Sequence, residues 1–444
     1  MRKSVLSGIF SLILICLCIT FFTSSVLPQA RWVELTNGPA ESQDCYFINS
    51  LTGYVTSNNA VYKTTDGGVT FSNVSVHTAR GLRCIGFFDS NTGIAGILNN
   101  PDSLLMRTSN SGASWSVVRN ISGAASNGIC GISIVDSVTA FAVGRYYRPA
   151  RLLKTTDKGI TWTSIVPDTS LVSSLVDCKF RDANTGFIVG GYSLGIANSR
   201  FLSGRAVILK TTNGGLNFTR VHITSYDSAW CWKIQFVNTK LGYASVESQV
   251  TGAYLKTTDG GFTWQEKPFT PYVDLEGIGF INENTGWIGG YGNNPGNRPP
   301  MFETTDAGAT WHSTGLGRVI NRIRVINDTI AYAVGTSKIL KYTTEPVGIH
   351  QISSEVPENF SLSQNYPNPF NPSTTIIYNV KKAGLIKLKI YDPKGVEIHT
   401  LVNEKQNIGS YSVSFDALHL PSGVYFYRLF TDNFSESKRM VLVK

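Results

Sequence analysis

Residues 257–264, TTDGGFTW, are the clearest copy of an eight-residue segment that recurs along the chain. The six copies end at Phe71, Trp115, Trp162, Phe218, Trp264 and Trp311, with spacings of 44, 47, 56, 46 and 47 residues. A sequence period in this range indicates a repeat architecture in which each repeat is one supersecondary unit. The period therefore predicts the fold of most of the chain.

Each copy is expected to be a tight turn between two strands. Apolar runs such as residues 208–210 and 161–165 flank the copies. The Asp-Gly-Gly step favours a hairpin, because Gly accepts a positive φ and Asp bonds to nearby backbone amides. Asn110 and Asn213 replace the Asp in two copies, and Asn can accept the same bonds. We therefore interpret this segment, called the repeated turn below, as structural rather than catalytic.

The repeated turn resembles the Asp-box (BNR) repeat of sialidases, sortilin-type receptors and the photosystem II assembly-factor propellers. This resemblance implies a structural turn on the rim of a β-propeller. The rhythm of the units is most similar to the photosystem II assembly factors, which implies a seven-bladed scaffold that binds protein. Their photosynthetic role does not transfer, because a fold does not fix a function.

The units themselves are expected to contain four strands each. In the second unit these are residues 84–88, 94–97, 104–107 and 115–118. Four-stranded units of about 45 residues are typical of propeller blades. A seventh unit begins at residue 323 but lacks its last strand, whereas residues 32–35 form a strand with no unit before it. The sequence therefore predicts an all-β chain in which residues 31–345 form a seven-bladed β-propeller closed by its N-terminal strand.

The first 30 residues are expected to be a secretory signal peptide. Arg2 and Lys3 precede an apolar run, residues 9–22, and small residues follow it. The run is short for a membrane span, and we expect no span after its removal. Five of the seven cysteines remain, namely Cys45, Cys84, Cys130, Cys178 and Cys231. An odd number excludes a complete disulfide framework, and no close pair suggests a metal site, so buried core positions and no cofactor are predicted.

The C-terminal part differs in composition. Residues 346–358 are predicted to be a linker and residues 359–444 a small β-sandwich. The segments 365–372 (NYPNPFNP) and 420–428 (LPSGVYFYR) and the basic, hydrophobic end resemble the C-terminal sorting domain of type IX secretion cargo in Bacteroidetes-like bacteria. The resemblance implies passage through the periplasm to the cell surface or the medium, with the type IX machinery as a partner. An ordinary sugar-binding sandwich is the alternative.

Three long insertions are predicted to share one propeller face, at residues 145–151, 192–205 and 291–300. They contain no Asp or Glu, and their candidate ligand-binding residues are Arg145, Tyr147, Arg148, Arg151, Arg200, Arg205 and Arg298. Arg suits bidentate contact with carboxylate, phosphate or sulfate. The formal charge of +9 permits an anionic partner without requiring nucleic acid. We expect an unknown surface protein or glycan as the ligand and no nucleic acid.

An extracellular glycoside hydrolase of the Asp-box propeller type is the alternative. Four acids, Asp177, Asp227, Asp274 and Glu276, are expected in loops between units on the same face, and a carboxylate pair can hydrolyse glycosides. The chain lacks the Arg-Ile-Pro motif of sialidases, and it has one ring where xyloglucanases have two. No Ser-His-Asp motif, phosphate loop or zinc signature is present. The sequence therefore favours non-catalytic binding.

Overall fold

The computed structural model describes residues 30–443, except 36, 58, 75–80, 99, 101–102, 145–148, 194–203, 270–273, 292–297, 337, 344–349, 354, 372 and 418–419. Every regular element in these ranges is a β-strand. They therefore include no helix of the length and apolarity that a membrane crossing requires. The predicted signal peptide lies outside the described residues except for Ala30, as do residues 346–349 and 354 of the predicted linker.

Strands β1 to β29 form seven sheets in residues 31–343. The strand β1 (Arg31–Glu34) precedes sheet 1, which contains β2 (Ser42–Phe47), β3 (Gly53–Ser57), β4 (Val61–Thr64) and β5 (Ser72–Asn73). Sheet 2 contains β6 (Leu82–Phe87), β7 (Gly93–Ile97), β8 (Leu105–Thr108) and β9 (Ser116–Val117). Sheet 3 contains β10 (Ile121–Gly123), β11 (Gly131–Ile134), β12 (Ala140–Gly144), β13 (Arg151–Thr155) and β14 (Trp162–Ile165). Sheet 4 contains β15 (Ser174–Phe180), β16 (Gly186–Tyr192), β17 (Arg205–Thr211) and β18 (Thr219–Ile223).

The remaining three sheets of this region repeat the same layout. Sheet 5 contains β19 (Ala229–Phe236), β20 (Gly242–Ser248), β21 (Ala253–Thr257) and β22 (Gln265–Pro268). Sheet 6 contains β23 (Leu275–Phe280), β24 (Gly286–Gly290), β25 (Pro300–Thr304) and β26 (His312–Arg318). Sheet 7 contains β27 (Ile320–Val325), β28 (Ala331–Gly335) and β29 (Leu340–Thr343), to which β1 adds. Neighbouring strands are antiparallel, except that β10 joins the edge of sheet 3 parallel to β14.

The first strands of the sheets surround a common axis; in sheet 3 this strand is β11, because β10 lies at the opposite edge of the sheet. Each contacts the first strand of the next sheet, from β2 and β6 through to β23 and β27, and β27 in turn contacts β2. The strand β1 is antiparallel to β29, with Trp32 opposite Tyr342. This is the pairing that the sequence predicted for residues 32–35, and it gives sheet 7 its fourth strand.

Stacked aromatic rings join most neighbouring sheets. A ring near the start of the second strand of one sheet packs on a ring at the end of the first strand of the next sheet. Four such pairs are stacked with centroids 3.5 to 4.0 Å apart, and Phe187–Phe236 is tilted by 36° at 4.8 Å. The pairs are Tyr54–Phe87, Phe141–Phe180, Phe187–Phe236, Tyr243–Phe280 and, between sheets 7 and 1, Tyr332–Phe47. Such pairs contribute about 0.5–1.5 kcal/mol each beyond the apolar area that they bury.

The repeated turns face these joints, and their side chains form the predicted bonds. In the copy at 257–264, Asp259 accepts hydrogen bonds from the amides of Phe262 and Thr263 and from the hydroxyl groups of Thr257 and Thr263. Gly260 and Gly261 have φ of 79° and 81°, a region that side chains disfavour. Asn110 and Asn213 accept the corresponding bonds in their copies. These contacts agree with a structural role for the turn.

A second turn recurs in all seven sheets, between the first and second strands. Its first residue is Asn or Asp, and its Oδ1 accepts hydrogen bonds from the amides two and three residues later. The residues are Asn49, Asp89, Asp136, Asp182, Asn238, Asn282 and Asn327. The residue that forms this turn varies between Asn and Asp, and both types offer the same Oδ1 acceptor to the backbone.

The tail is a sandwich of two sheets. Sheet 8 contains β30 (His350–Ser353), β31 (Ser361–Leu362), β32 (Ser373–Val380) and β35 (Gly409–Asp416). Sheet 9 contains β33 (Gly384–Tyr391), β34 (Glu397–Gln406), β36 (Gly423–Phe430) and β37 (Ser435–Leu442). One core joins them, with Tyr378 and Val413 of sheet 8 among its members and Leu388 and Tyr427 of sheet 9. Because β30 pairs with β35, the tail begins inside the predicted linker.

A substitution at Thr257 tests the repeated turn. Its side chain accepts a hydrogen bond from the buried amide of Gly261 at 2.9 Å, and it is only 2% exposed. Valine has nearly the same shape but cannot accept this bond, so Thr257→Val is expected to lower the free energy of unfolding by about 1–3 kcal/mol. Urea unfolding followed by tryptophan fluorescence measures the change. The matched control is Thr258→Val at the exposed neighbour, and equal effects of both substitutions would contradict this account.

Candidate functional site

Buried charged side chains fill the axis between the first strands. Six of these seven strands contain a register irregularity of the β-bulge type, in β2, β6, β15, β19, β23 and β27. A bulge inserts an unpaired residue and redirects its side chain. The residues inserted in this way include Gln43, Arg83, Lys233, Glu276 and Asn321. A strictly alternating pattern would not place these polar residues there, so sequence reasoning named Glu276 only as a loop residue and missed the other four.

Arg322 of β27 is the centre of the first charged group. Its Nη1 and Nη2 donate to the two carboxylate oxygens of Asp177 at 2.8 and 3.1 Å, and its Nε donates to Asp44 at 3.1 Å. Arg324 donates to both oxygens of Asp44 as well. These residues belong to sheets 7, 4 and 1, so one guanidinium group joins three sheets across the axis.

This group shifts the pKa of its members. Burial alone would raise the pKa of Asp44 and Asp177, but the attraction of Arg322 and the other neighbouring cations outweighs it and holds both below the usual 3.8. Burial lowers the pKa of Lys233, with Arg322 adding to the effect. Both carboxylates therefore stay ionised at neutral pH and are held in ion pairs, a state unsuited to proton transfer.

Arg83 of β6 is the centre of the second group. It donates a hydrogen bond to Gln43, lies 3.9 Å from the carboxylate of Glu276, and has its guanidinium 5.4 Å from the ring centroid of Trp232. Burial would lower the pKa of Arg83, but Glu276, Cys130 and Tyr291 raise it above the usual value. Sheets 1, 2, 5 and 6 meet here.

Three carboxylates converge beside this second group. Glu247 lies in β20, Glu276 lies in β23, and Asp274 directly precedes β23. Their carboxylate oxygen atoms are within 4.8 Å of one another. An isolated antiparallel bridge links Glu247 to Asp274. Their oxygen atoms are the ligand type that hard cations such as Ca²⁺ prefer. Sequence reasoning named Asp274 and Glu276 but missed Glu247, because Glu247 lies within β20 and not in a loop between two units.

The expectation that all four candidate acids lie in loops is wrong for two of them. Asp177 is the fourth residue of β15 and Glu276 the second residue of β23, because both strands begin before these positions. Asp227 precedes β19 and forms an ion pair with Arg205 at 2.8 Å, with side chains 60% and 42% exposed. The structure therefore brings together Asp274 with Glu276 and Arg205 with Asp227, whereas Asp177 is bound to Arg322.

Only three of the candidate ligand-binding residues, Arg151, Arg205 and Arg298, are among the described residues. Arg145, Tyr147, Arg148 and Arg200 lie outside the described residues. Arg151 donates from Nε to the carbonyl of Ala125 at 3.0 Å, and the carbonyl of Arg298 accepts a bond from Arg318. Among the described members, no contact joins one candidate arginine to another.

The five predicted core cysteines are all buried, and none of them forms a disulfide. Burial raises the pKa of each thiol for which a shift is resolved, as at Cys45 and Cys231. The thiols with raised pKa are therefore protonated and unreactive at neutral pH.

The axis can be tested with one conservative substitution. Asp177→Asn keeps the shape but leaves the buried charge of Arg322 with one carboxylate fewer, so the free energy of unfolding is expected to fall by about 3–5 kcal/mol. The control Asp227→Asn removes an exposed pair and is expected to cost less than about 1 kcal/mol. Because the folded-state pKa of Asp177 is depressed, its contribution is present above about pH 4 and is lost as the pH falls further. Equal stability of the two variants at pH 7 would contradict the assignment.

Comparison with known proteins identifies the tail and the fold. Residues 364–444 match the family described as "Secretion system C-terminal sorting domain". No curated protein sequence is significantly similar to the chain. The solved structures that resemble it include "YCF48 bound to D1 peptide", at 15% identity and a TM-score of 0.52, covering 71% of this chain and 97% of that one.

Two further solved structures are similar over more of the chain. The extracellular domain of a putative one-component system from B. thetaiotaomicron has 9% identity and a TM-score of 0.51, with 93% of this chain and 59% of that one covered. An ancestral GH74 enzyme has 13% identity and a TM-score of 0.50, with 92% and 63% covered. At these identities the likeness concerns the fold alone. The chain is thus an all-β protein with a β-propeller fold, and its type IX secretion sorting domain directs it to the cell surface or the medium.

Proposed function

We propose that residues 31–343 form one closed ring of seven blades built on Asp-box turns, and that the ring is a non-catalytic binding module for a protein or anionic glycan outside the cell. The circle of contacts between first strands supports the ring, as does the pairing of β1 with β29. The joint between sheets 7 and 1 also resembles the others, since Tyr332 stacks on Phe47 at 3.6 Å.

The proposal of a binding function rests on the candidate acids, because two of them are buried and face arginine side chains. Asp177 is 1% exposed and held by Arg322, and Glu276 is 2% exposed and faces Arg83. A general acid or base must reach the proton that it transfers, so neither group is placed for catalysis. Because side chains fill the axis, we place the ligand on the face of the long insertions.

The hydrolase alternative fits the surroundings of the candidate acids less well. Retaining glycosidases place two carboxyl groups about 5–5.5 Å apart and inverting ones about 6.5–9.5 Å apart, on either side of the scissile bond. Asp274 and Glu276 have oxygens within 4.8 Å and belong to one three-carboxylate cluster. Asp227 is bound to Arg205 instead. The similarity to a GH74 enzyme keeps this alternative as one outcome of the test below.

The proposed binding face includes Arg205, Arg298 and Tyr291, which is 39% exposed. We also propose as ligand-binding residues the insertion residues Arg145, Tyr147, Arg148, Arg151 and Arg200. Long loops on a rigid scaffold are where binding residues concentrate, and guanidinium groups recognise carboxylate, phosphate and sulfate. The similarity to YCF48, solved with a bound peptide, supports a protein ligand as well as a glycan.

A binding assay with residues 31–444 tests the function. The purified protein is mixed with neutral and anionic polysaccharides, and both binding and released reducing ends are measured. We expect binding of an anionic polysaccharide without release, and the double variant Arg205→Ala and Arg298→Ala should weaken it about tenfold. The control Lys240→Ala removes an exposed cation from a turn between first and second strands, which lies on the opposite face. Release of reducing ends would support the hydrolase, and no binding to any glycan would indicate a protein ligand.

Removal of β1 tests the closed ring separately. Trp32 is 7% exposed and packs edge-on against Trp287, with ring centroids 4.9 Å apart. Deleting residues 31–36 removes this contact and exposes the edge of β29, so the free energy of unfolding should fall by at least about 3–5 kcal/mol. Thermal and urea unfolding measure it, with the exposed-site variant Arg31→Ala as the control. A deletion variant as stable as the parent would exclude ring closure by this strand.

A further inference from the structure

Sheet 9 of the tail has two faces of opposite character. In β33, Ile386, Leu388 and Ile390 are buried in the core that the two tail sheets share. Because side chains alternate along a strand, Lys387 and Lys389 face outward, away from sheet 8. The burial pattern of β33 follows this alternation from residue 385 to residue 391.

The strand register extends this outward face across the sheet. Lys387 and Lys389 lie opposite Phe430 and Arg428 of β36, and Phe426 lies opposite Arg439 of β37. Lys405 of β34 lies opposite Leu385. We call this surface the basic face, and its members are Leu385, Lys387, Lys389, Lys405, Phe426, Arg428, Phe430, Arg439 and Val443.

Charge on the basic face is strongly one-sided. It has five Lys and Arg side chains, and the one acid beside them is Glu397, whose carboxylate pairs with Lys389 at 2.7 Å. Arg428 donates to the hydroxyl of Ser435 and lies 4.7 Å from the ring centroid of Phe430. Within the described part of the chain, Lys387, Lys405, Arg428 and Arg439 take part in none of the ion pairs. Four cations are thus available to an acidic partner.

The same face exposes apolar side chains. Leu385 is 39% exposed, Phe426 38% and Val443 50%. A single exposed apolar residue is ordinary, but these three share a flat sheet surface with uncompensated cations. Arg and aromatic residues are the side chains that contribute most at protein interfaces, and charge complementarity guides the approach of partners.

We propose that the basic face is the surface through which the tail docks onto an acidic, partly apolar protein surface of the export machinery. The family that matches residues 364–444 indicates that the tail serves secretion. The positive charge of the basic face indicates an acidic partner. Lys387, Arg428 and Arg439 supply the electrostatic attraction, and Phe426 supplies an apolar contact beside Arg439. The contact is separate from the ligand face of the propeller.

Export of the full chain tests this inference in a bacterium that has an intact type IX system. The triple reversal Lys387→Glu, Arg428→Glu and Arg439→Glu should lower the exported fraction at least about tenfold and leave the protein in the periplasm. Phe426→Ser should lower it by a smaller factor. The matched control is Lys381→Glu, Lys382→Glu and Lys394→Glu, which makes the same charge change at exposed turn positions and should leave export within about twofold.

A neutral triple variant separates docking from folding. Lys387→Gln, Arg428→Gln and Arg439→Gln removes the charges without introducing repulsion, and thermal unfolding of the purified proteins reports on stability. Reduced export at an unchanged unfolding midpoint supports the proposal. Normal export of the reversed triple overturns it, even if that variant loses affinity for anionic polysaccharides. Loss of export that follows the unfolding midpoint equally in the face and control variants also overturns it.

Discussion

The ion pairs of Arg322 determine what the centre of the propeller can be. One buried guanidinium joins Asp177 of sheet 4 to Asp44 of sheet 1 from sheet 7, and the residues that meet there are 145 and 278 positions apart in the chain. Removing one partner of such a pair leaves an uncompensated buried charge, which is more destabilising than the pair itself is stabilising. Buried side chains therefore occupy the axis, which is why we propose the loops rather than the axis for ligand binding.

Around this axis, the same joint is repeated between neighbouring sheets. Aromatic stacking acts beside cations from the third strands, such as Lys63 and Lys256, which donate to the carbonyl groups of Ser111 and Ala307 in the next repeated turn. The repeated turns of sheets 2 and 6 thus order their own hairpins and receive a bond from the preceding sheet. The long insertions lie elsewhere, between second and third strands, where loops can differ in length and chemistry.

The tail differs from the propeller, because it has two sheets and each sheet buries only one of its faces. Its core is complete without the outward side of sheet 9. The cations there are consequently not needed for folding, and they point to recognition by a partner. The tail directs the chain out of the cell, and in our proposal the propeller binds a ligand there.

The sequence by itself determined the repeat, the four-strand units, the turn chemistry, the use of residues 32–35 in the last sheet and the sorting tail. All of these depend on local hydrogen bonding or on strand periodicity, which short segments encode. Only the tertiary structure decided that Asp177 and Glu276 are buried strand residues, that Glu247 joins Asp274 and Glu276, and that Arg83 and Arg322 fill the axis. The physical reason is that bulges insert Arg83 and Glu276 out of the alternating pattern, and that the partners of Arg322 come from sheets far apart in the chain.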